Sequence, residues 1–290
     1  MDSYSRETIF HLPGIFEKGN IYLKLLDLYE NHREYFRDNL KIGSIYGTPI
    51  GAIWNGGRML YGVTTWGELH AFRDFMEKKR IPVRFTFTNC LIEKQHVYDT
   101  YCNNVLDIFN TGNNEVICNS PILEKYIRKK YGNNYRYISS TTKRITDKTL
   151  QQNEVNKNYY LTVLDYDFNS DMEFLKSLEH KEKCEILCNP VCQPKCPRRE
   201  FHYKNISECQ LKCNPHGVFA CPDDRKTFYD AQKTPNFISE YKIEKLTEMG
   251  FKHFKLEGRT AKDSDLINIL TYYLIKDKYQ ELVRQELKEQ

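Results

Sequence analysis

Eight runs of strand-forming residues alternate along the chain with helical patterns or loops. The first, Thr8-Ile9-Phe10-His11-Leu12, stops at Pro13-Gly14. A helical pattern follows over about Ile21–Asp38, with Leu25, Leu26 and Tyr29 on one face. The second run, Ile42–Tyr46, is closed by Gly47 and Pro49, and a helix over about Thr65–Lys79 then carries Leu69, Phe72 and Met76 on one side. Run three, Val83–Thr88, ends at Asn89. Run four, Val116-Ile117-Cys118, leads to Ser120-Pro121, a side-chain cap followed by a residue whose missing N–H does no harm at a helix start.

Run five is Tyr135–Ser139, and a polar connection, Thr141–Asn158, reaches run six, Tyr159–Leu164. Ser170-Asp171-Met172-Glu173 has capping-box spacing, which starts a helix at Ser170 and carries it to about Leu178. Run seven is Glu185–Cys188. After a cysteine-rich stretch, Ser239 caps a further helix, with Ile238 and Ile243 placed as a hydrophobic staple. Run eight, His253–Leu256, is followed by Glu257-Gly258-Arg259, and a last helix over about Ser264–Lys288 presents Leu266, Ile269, Leu270, Tyr273 and Leu274.

Strand–helix alternation repeated eight times predicts parallel strands joined by crossovers, and eight such units close into a (β/α)8 TIM-like barrel. A doubly wound open sheet is the alternative if the weak first and fourth runs are not strands. There is no internal repeat or low-complexity linker. The expectation is one α/β domain over residues 1–290, with a cysteine-rich insertion after the seventh strand at about 189–236.

Composition changes this picture little. The chain has 290 residues, 40% of them hydrophobic, which is ample for one large core. Its 43 basic and 39 acidic residues leave a net charge of +4, so no electrostatic case exists for a dedicated nucleic-acid surface, although brief contact with an RNA substrate stays open. The first residues lack the apolar core of a signal peptide, and no run approaches the roughly 18 apolar residues of a membrane span. A cytoplasmic protein with no membrane association is expected.

Cysteine changes the picture more. Seven of the ten cysteines (Cys184, Cys188, Cys192, Cys196, Cys209, Cys213 and Cys221) fall in one stretch. Clustering of that kind in a reducing compartment favours metal over disulfides. Four converging thiolates suit a cubane iron–sulfur cluster or tetrahedral zinc. Zinc pairs usually have two-residue spacers, whereas the spacers here are three, which points toward a [4Fe–4S] cluster with zinc as the alternative. The candidate ligands are Cys192, Cys196, Cys213 and Cys221, with Cys188 competing for the fourth place. Cys90, Cys102, Cys118 and Cys184 read as buried thiols.

A barrel exposes its chemistry at the carboxyl ends of its strands. His11, Tyr46, Asn89, Asn119, Ser139, Ser140, Asp165, Asn189, Glu257 and Arg259 stand there, and the cysteine loop follows strand seven at the same face. Asn119, Asp165, Glu257 and Arg259 are the catalytic candidates. Asn119 and Asp165 read equally well as helix caps, and Glu257 with Arg259 as an ion pair. His202 reads as a surface side chain or a fourth metal ligand.

These residues resemble the collagenase-like peptidase family U32. The likeness is carried by Leu187-Cys188-Asn189-Pro190-Val191-Cys192 through Cys196-Pro197-Arg198-Arg199 with His202-Tyr203, by Gly250 through Leu256-Glu257-Gly258-Arg259, and by Asn119-Ser120-Pro121-Ile122-Leu123 with Ser139-Ser140-Thr141. The resemblance implies a TIM-like barrel binding a [4Fe–4S] cluster through four cysteines. It also implies kinship with proteins that assist oxygen-independent hydroxylation of RNA bases or of the ubiquinone ring, some with prephenate as oxygen source. A small-molecule or RNA substrate, and a protein partner or paralogue, are implied with it. The chain departs from those relatives in its short length and its denser cysteines. For a peptidase the sequence offers no His-Glu-x-x-His zinc motif and no evident nucleophile–base pair. A non-catalytic barrel stapled by zinc or a cluster is the third reading. A radical enzyme using S-adenosylmethionine is disfavoured, because its cysteines follow the first strand at three-then-two spacing.

Overall fold

The computed structural model describes residues 2–221 and 227–288. Residues 222–226 of the expected insertion, Pro222 among them, lie outside the described residues, as do both chain ends of the expected 1–290 domain.

Eight strands form a closed barrel in sequence order: β1 Ser3–Pro13, β2 Asp38–Gly47, β3 Val83–Phe87, β4 Glu115–Cys118, β5 Arg136–Ser139, β6 Leu161–Val163, β7 Cys184–Leu187 and β8 His253–Lys255. Every neighbouring pair is parallel, and β8 closes on β1 with Phe254 opposite Phe10. The first and fourth runs are strands, so the open-sheet alternative falls. β1, a weak signal in the sequence, is the longest of the eight at 11 residues.

Period-two alternation sorts the side chains of each strand. Val83, Phe85 and Phe87 of β3 face outward into the main core beneath the helices, while Arg84 and Thr86 face the barrel axis. The axis is not filled by aliphatic residues alone, as barrels usually are. Ile117, Ile138, Leu161 and Val163 form a separate apolar cluster there. Toward the amino-terminal ends lies a sealed ionic layer. Arg84 donates to Glu115 and Glu185, and its Nη2 stands 2.9 Å from His11 Nδ1, while His11 Nε2 stands 3.0 Å from His253 Nδ1. Every charge in the layer has a partner, which is the condition for tolerating charge away from water.

Several element boundaries differ from the sequence expectation. The first helix runs Gly19–Asn31 and stops well before Asp38, because a short 3-10 turn over Arg33–Tyr35 must swing the chain into β2, which begins at Asp38. The connection Thr141–Asn158 is not all loop: Asp147 accepts from Leu150 N and starts a helix over Lys148–Val155. A helix over Thr100–Ile108 is capped by Asp99 in the same way. Asp171, not Ser170, caps the helix Met172–Ser177 by accepting from Phe174 N at 3.0 Å. Ser120 and Ser239 cap as expected. The last helix is two, Asp263–Leu274 and Gln280–Lys288, broken where Ile275 pairs with Phe36 in an antiparallel bridge. Among the described residues, no helix is long and apolar enough to cross a membrane.

Candidate functional site

A cavity of about 480 Å³ opens at the carboxyl ends of the strands. Its walls come from four places: the ends of the strands with the loops that follow them, the loop Gly56–Met59, the cysteine-rich insertion, and the helix Asp263–Leu274. The insertion is itself built around a helix, Arg199–Leu211, for which the sequence analysis gives no helix. Arg199, His202, Tyr203 and Ile206 of that helix face the cavity.

Lys255, the last residue of β8, lies deep in the barrel mouth and is only 7% exposed. Its ammonium sits 3.9 Å from the centre of the Tyr46 ring and 3.8 Å from Glu185 Oε1, too far for a hydrogen bond. Burial drives its pKa down to about 7, against the pull of Glu185, with Arg84 and Arg259 adding to the fall. The Tyr46 hydroxyl donates to the carbonyl of Leu256.

Glu257 and Arg259 both line the cavity, but they do not form an ion pair with each other. Glu257 pairs with Arg58 from the facing loop and accepts from Val191 N at 3.4 Å. Asn189 holds it in place: Asn189 Oδ1 accepts from Glu257 N at 2.7 Å and Asn189 Nδ2 donates to Glu257 O at 3.0 Å. Arg259 points instead across the mouth. Nη1 donates to Asn55 Oδ1 at 3.0 Å and Thr86 Oγ1 at 2.8 Å, and Nη2 donates to Gly56 O at 2.8 Å. The loop it grips packs so closely on β3 that a Cβ at Gly56 would lie 2.4 Å from the Thr88 carbonyl carbon, so only glycine fits.

Asp165 acts as a cap, one of the two roles weighed for it, and as an ion-pair partner. Its Oδ1 accepts from Asp167 N at 3.0 Å, a local cap, and its carboxylate accepts from Arg199 Nη2 at 2.9 and 2.8 Å. Burial raises its pKa, and Arg199 opposes that rise. Arg199 also donates to Asp167 and lies 4.4 Å from the Tyr166 ring centre. Asp165 itself does not line the cavity, and neither does Asn119, which reaches it only by donating to Thr142 Oγ1 at 2.8 Å.

The cysteines divide. Cys192, Cys196 and Cys221 line the cavity, and so does His202, which is half-buried rather than a surface side chain. Tyr166 hydrogen-bonds the Cys192 thiol. Burial raises the thiol pKa and that bond opposes the rise, while the nearby Cys196 adds to it. Cys213 is not brought to this group: it is exposed, in left-handed backbone at φ 50°, with Sγ 3.9 Å from Gln210 O. Cys188 faces outward from β7 into the main core and is sealed from the cavity. Cys209 is buried along the insertion helix, so its sulfur does lie on a helix face. Cys102, Cys118 and Cys184 are buried thiols, and Cys90 is half-buried beside Ser207. Among the described residues, no three His, Cys, Asp or Glu side chains stand close enough to hold one metal ion. The donor chemistry for a cluster is therefore at the cavity, while its convergence on one point is not.

The residues that sequence reasoning missed are Asn55, Arg58, Tyr166, Arg199, Tyr203 and Lys255. Arg199, Tyr203 and Lys255 lie in segments that carry the resemblance, and Lys255 also stands as a cation between Phe254 and Leu256.

No family model matches the sequence, and no match was found among curated proteins. Among solved structures, the chain is similar to the U32 peptidase Mk0906, with a TM-score of 0.53 over 90% of this chain and 96% of that one. The chain has the U32 peptidase fold. Sequence identity across the match is 14%, so the likeness speaks for the barrel and its connections alone. On this fold, the cavity lies where barrels place their active sites.

Proposed function

We propose that this chain is a redox enzyme of the U32 type, binding an aromatic ring or an RNA base in the barrel mouth and assisting its oxygen-independent hydroxylation. The observation that carries the reading is the opening of Cys192, Cys196, Cys221 and His202 onto the same cavity as Lys255 and Glu257. Cys192, Cys196 and Cys221 are the residues that would hold a [4Fe–4S] cluster, with His202 completing the set. A bound cluster would supply one-electron redox chemistry, its potential tuned by burial and by hydrogen bonds to sulfur such as that from Tyr166.

The chain's own residues have other tasks in this reading. The apolar patch of Ile117 and Val163 receives a flat ring, and the hydroxyls of Thr86 and Ser140 orient its polar edge. Arg58 and Glu257 close the mouth over it. All ten cysteines are free thiols, which supports a reducing, cytoplasmic setting.

A peptidase activity, which the neighbour's name carries, finds less support. Ser44 and His11 do share a hydrogen bond of 2.8 Å, but both are buried inside the barrel and neither lines the cavity. A peptidase needs its nucleophile where substrate can reach it.

The test is iron and acid-labile sulfide analysis, with an optical spectrum, on protein purified without oxygen. About four irons and four sulfides per chain support the reading. About one zinc and no sulfide would replace it with a structural staple.

A further inference from the structure

The geometry points to Lys255 as an imine-forming amine, whose Nζ condenses with the carbonyl carbon of a small anionic aldehyde or ketone held in the barrel mouth. The inference rests on the reading of this cavity as the ligand site, and not on any metal.

Three observations carry it. First, Lys255 is placed as a reactive amine must be, inside a cavity of about 480 Å³ yet nearly removed from bulk water. Second, the amine is held only loosely, by one long ion pair and a ring face. Glu185, the nearest acid, gives its Oε2 to Arg84 and keeps Oε1 3.8 Å from Nζ, and the remaining contact of Nζ is with the face of the Tyr46 ring. A lysine kept for structure would be tied by a short ion pair, as Lys143 is to Glu154 at 2.8 Å. Third, of the guanidinium groups lining the cavity, Arg58 is paired with Glu257 and Arg199 with Asp165 and Asp167, whereas Arg259 hydrogen-bonds only neutral groups, and its charge favours an anionic ligand. The lowered basicity of the amine agrees with this placement, since a neutral amine is the nucleophile.

The step balances without an oxidant or reductant. The Nζ lone pair adds to the carbonyl carbon as the C–O π pair moves to oxygen. A proton passes from nitrogen to that oxygen to give a carbinolamine, a second proton taken from water lets the oxygen leave as water as the C–O bond breaks, and the nitrogen lone pair closes a protonated C=N bond. The protonated imine then draws electrons from the adjacent carbon, which eases removal of a proton there.

Reductive trapping tests the inference. The whole protein is incubated at neutral pH with pyruvate, an anionic ketone, then treated with cyanoborohydride and mapped by peptide mass spectrometry. The expected result is an adduct on Lys255 at least about tenfold above that on the exposed Lys212, since an ordinary lysine is almost wholly protonated at this pH. Lys255→Met should lose the adduct with an unchanged melting midpoint. If that variant does not fold, the wild-type map decides alone. No adduct on Lys255, or labelling spread evenly over surface lysines, overturns the proposal. Trapping requires no metal, so its failure and the failure of the cluster reading are separate results.

Discussion

Arg199 Nη2 donates to Asp165 Oδ2 at 2.8 Å, tying the helix of the cysteine-rich insertion to the end of β6. The two side chains are 2% and 0% exposed. Neither charge has water to fall back on, so each depends on the other for its solvation. Asp165 was a candidate for chemistry in the sequence. Its place in the fold makes it an anchor that holds Cys192, Cys196 and His202 over the barrel mouth.

Removing the cation from this pair should be costly. Arg199→Ala leaves Asp165 buried without a counter-charge, and a loss of about 3–5 kcal/mol is expected in urea unfolding. Asp165→Asn should cost less, because Arg199 keeps Asp167 as a partner. Amide exchange in residues 190–211 should rise in both variants. Equal losses, or unchanged exchange, would contradict the anchoring role.

Arg259→Ala should report a structural role before any binding role. Its three hydrogen bonds hold the loop Asn55–Arg58 against β3, and charged hydrogen bonds of this kind contribute about 1.5–3 kcal/mol each when one partner is deleted. A fall in melting midpoint is expected, with Gly56→Ala giving the same sign through the clash at Thr88. A variant as stable as the parent would show that the loop is held elsewhere.

The ionic layer under the cavity predicts how stability depends on pH. Burial lowers the pKa of His253 to about 4, with Glu185 opposing and Arg84 and Lys252 adding to the fall, and burial also holds His11 well below its usual value. Both imidazoles are neutral in the folded barrel and gain protons near pH 6.5 once unfolded. The folded state therefore binds fewer protons, and stability is full above about pH 6.5 and lost as pH falls toward 4. For His253 alone the loss is on the order of 3 kcal/mol. Denaturant unfolding at neutral pH and near pH 5 measures it, and His253→Gln should flatten the profile.

Single cysteine variants separate the thiols at the cavity from the rest. Cys192→Ser and Cys196→Ser together, and Cys221→Ser alone, should each lower the iron content of anaerobically prepared protein while leaving the barrel folded. Cys188→Ser should lower stability instead, because it places a hydroxyl in the apolar core around β7. Iron that survives the double substitution would remove these thiols from the ligand set.

Much of the architecture was legible because it depends on local pattern. Runs such as Val83–Thr88 and His253–Leu256 declare strands, and Ser120-Pro121 and Ser239 declare helix starts by hydrogen bonds within one turn. Local competition also explains the errors. Ser170 and Asp171 are both able caps, and the neighbouring backbone chose Asp171. The pattern of the last helix ran on through Ile275, because its pairing with Phe36 comes from some 240 residues away and leaves no local mark.

The sequence by itself determined the eight alternating units, with a barrel as their expected closure, and the strand ends where Glu257, Arg259 and the cysteine loop stand. Side-chain period and turn chemistry are written into neighbouring residues, so they can be read there. Only the tertiary structure decided that Arg259 grips Asn55 rather than Glu257, that Cys221 faces the cavity and Cys213 faces solvent, and that Lys255 loses its water. Those outcomes depend on distances between loops far apart in the chain and on desolvation by packed neighbours, and neither quantity exists until the barrel has closed.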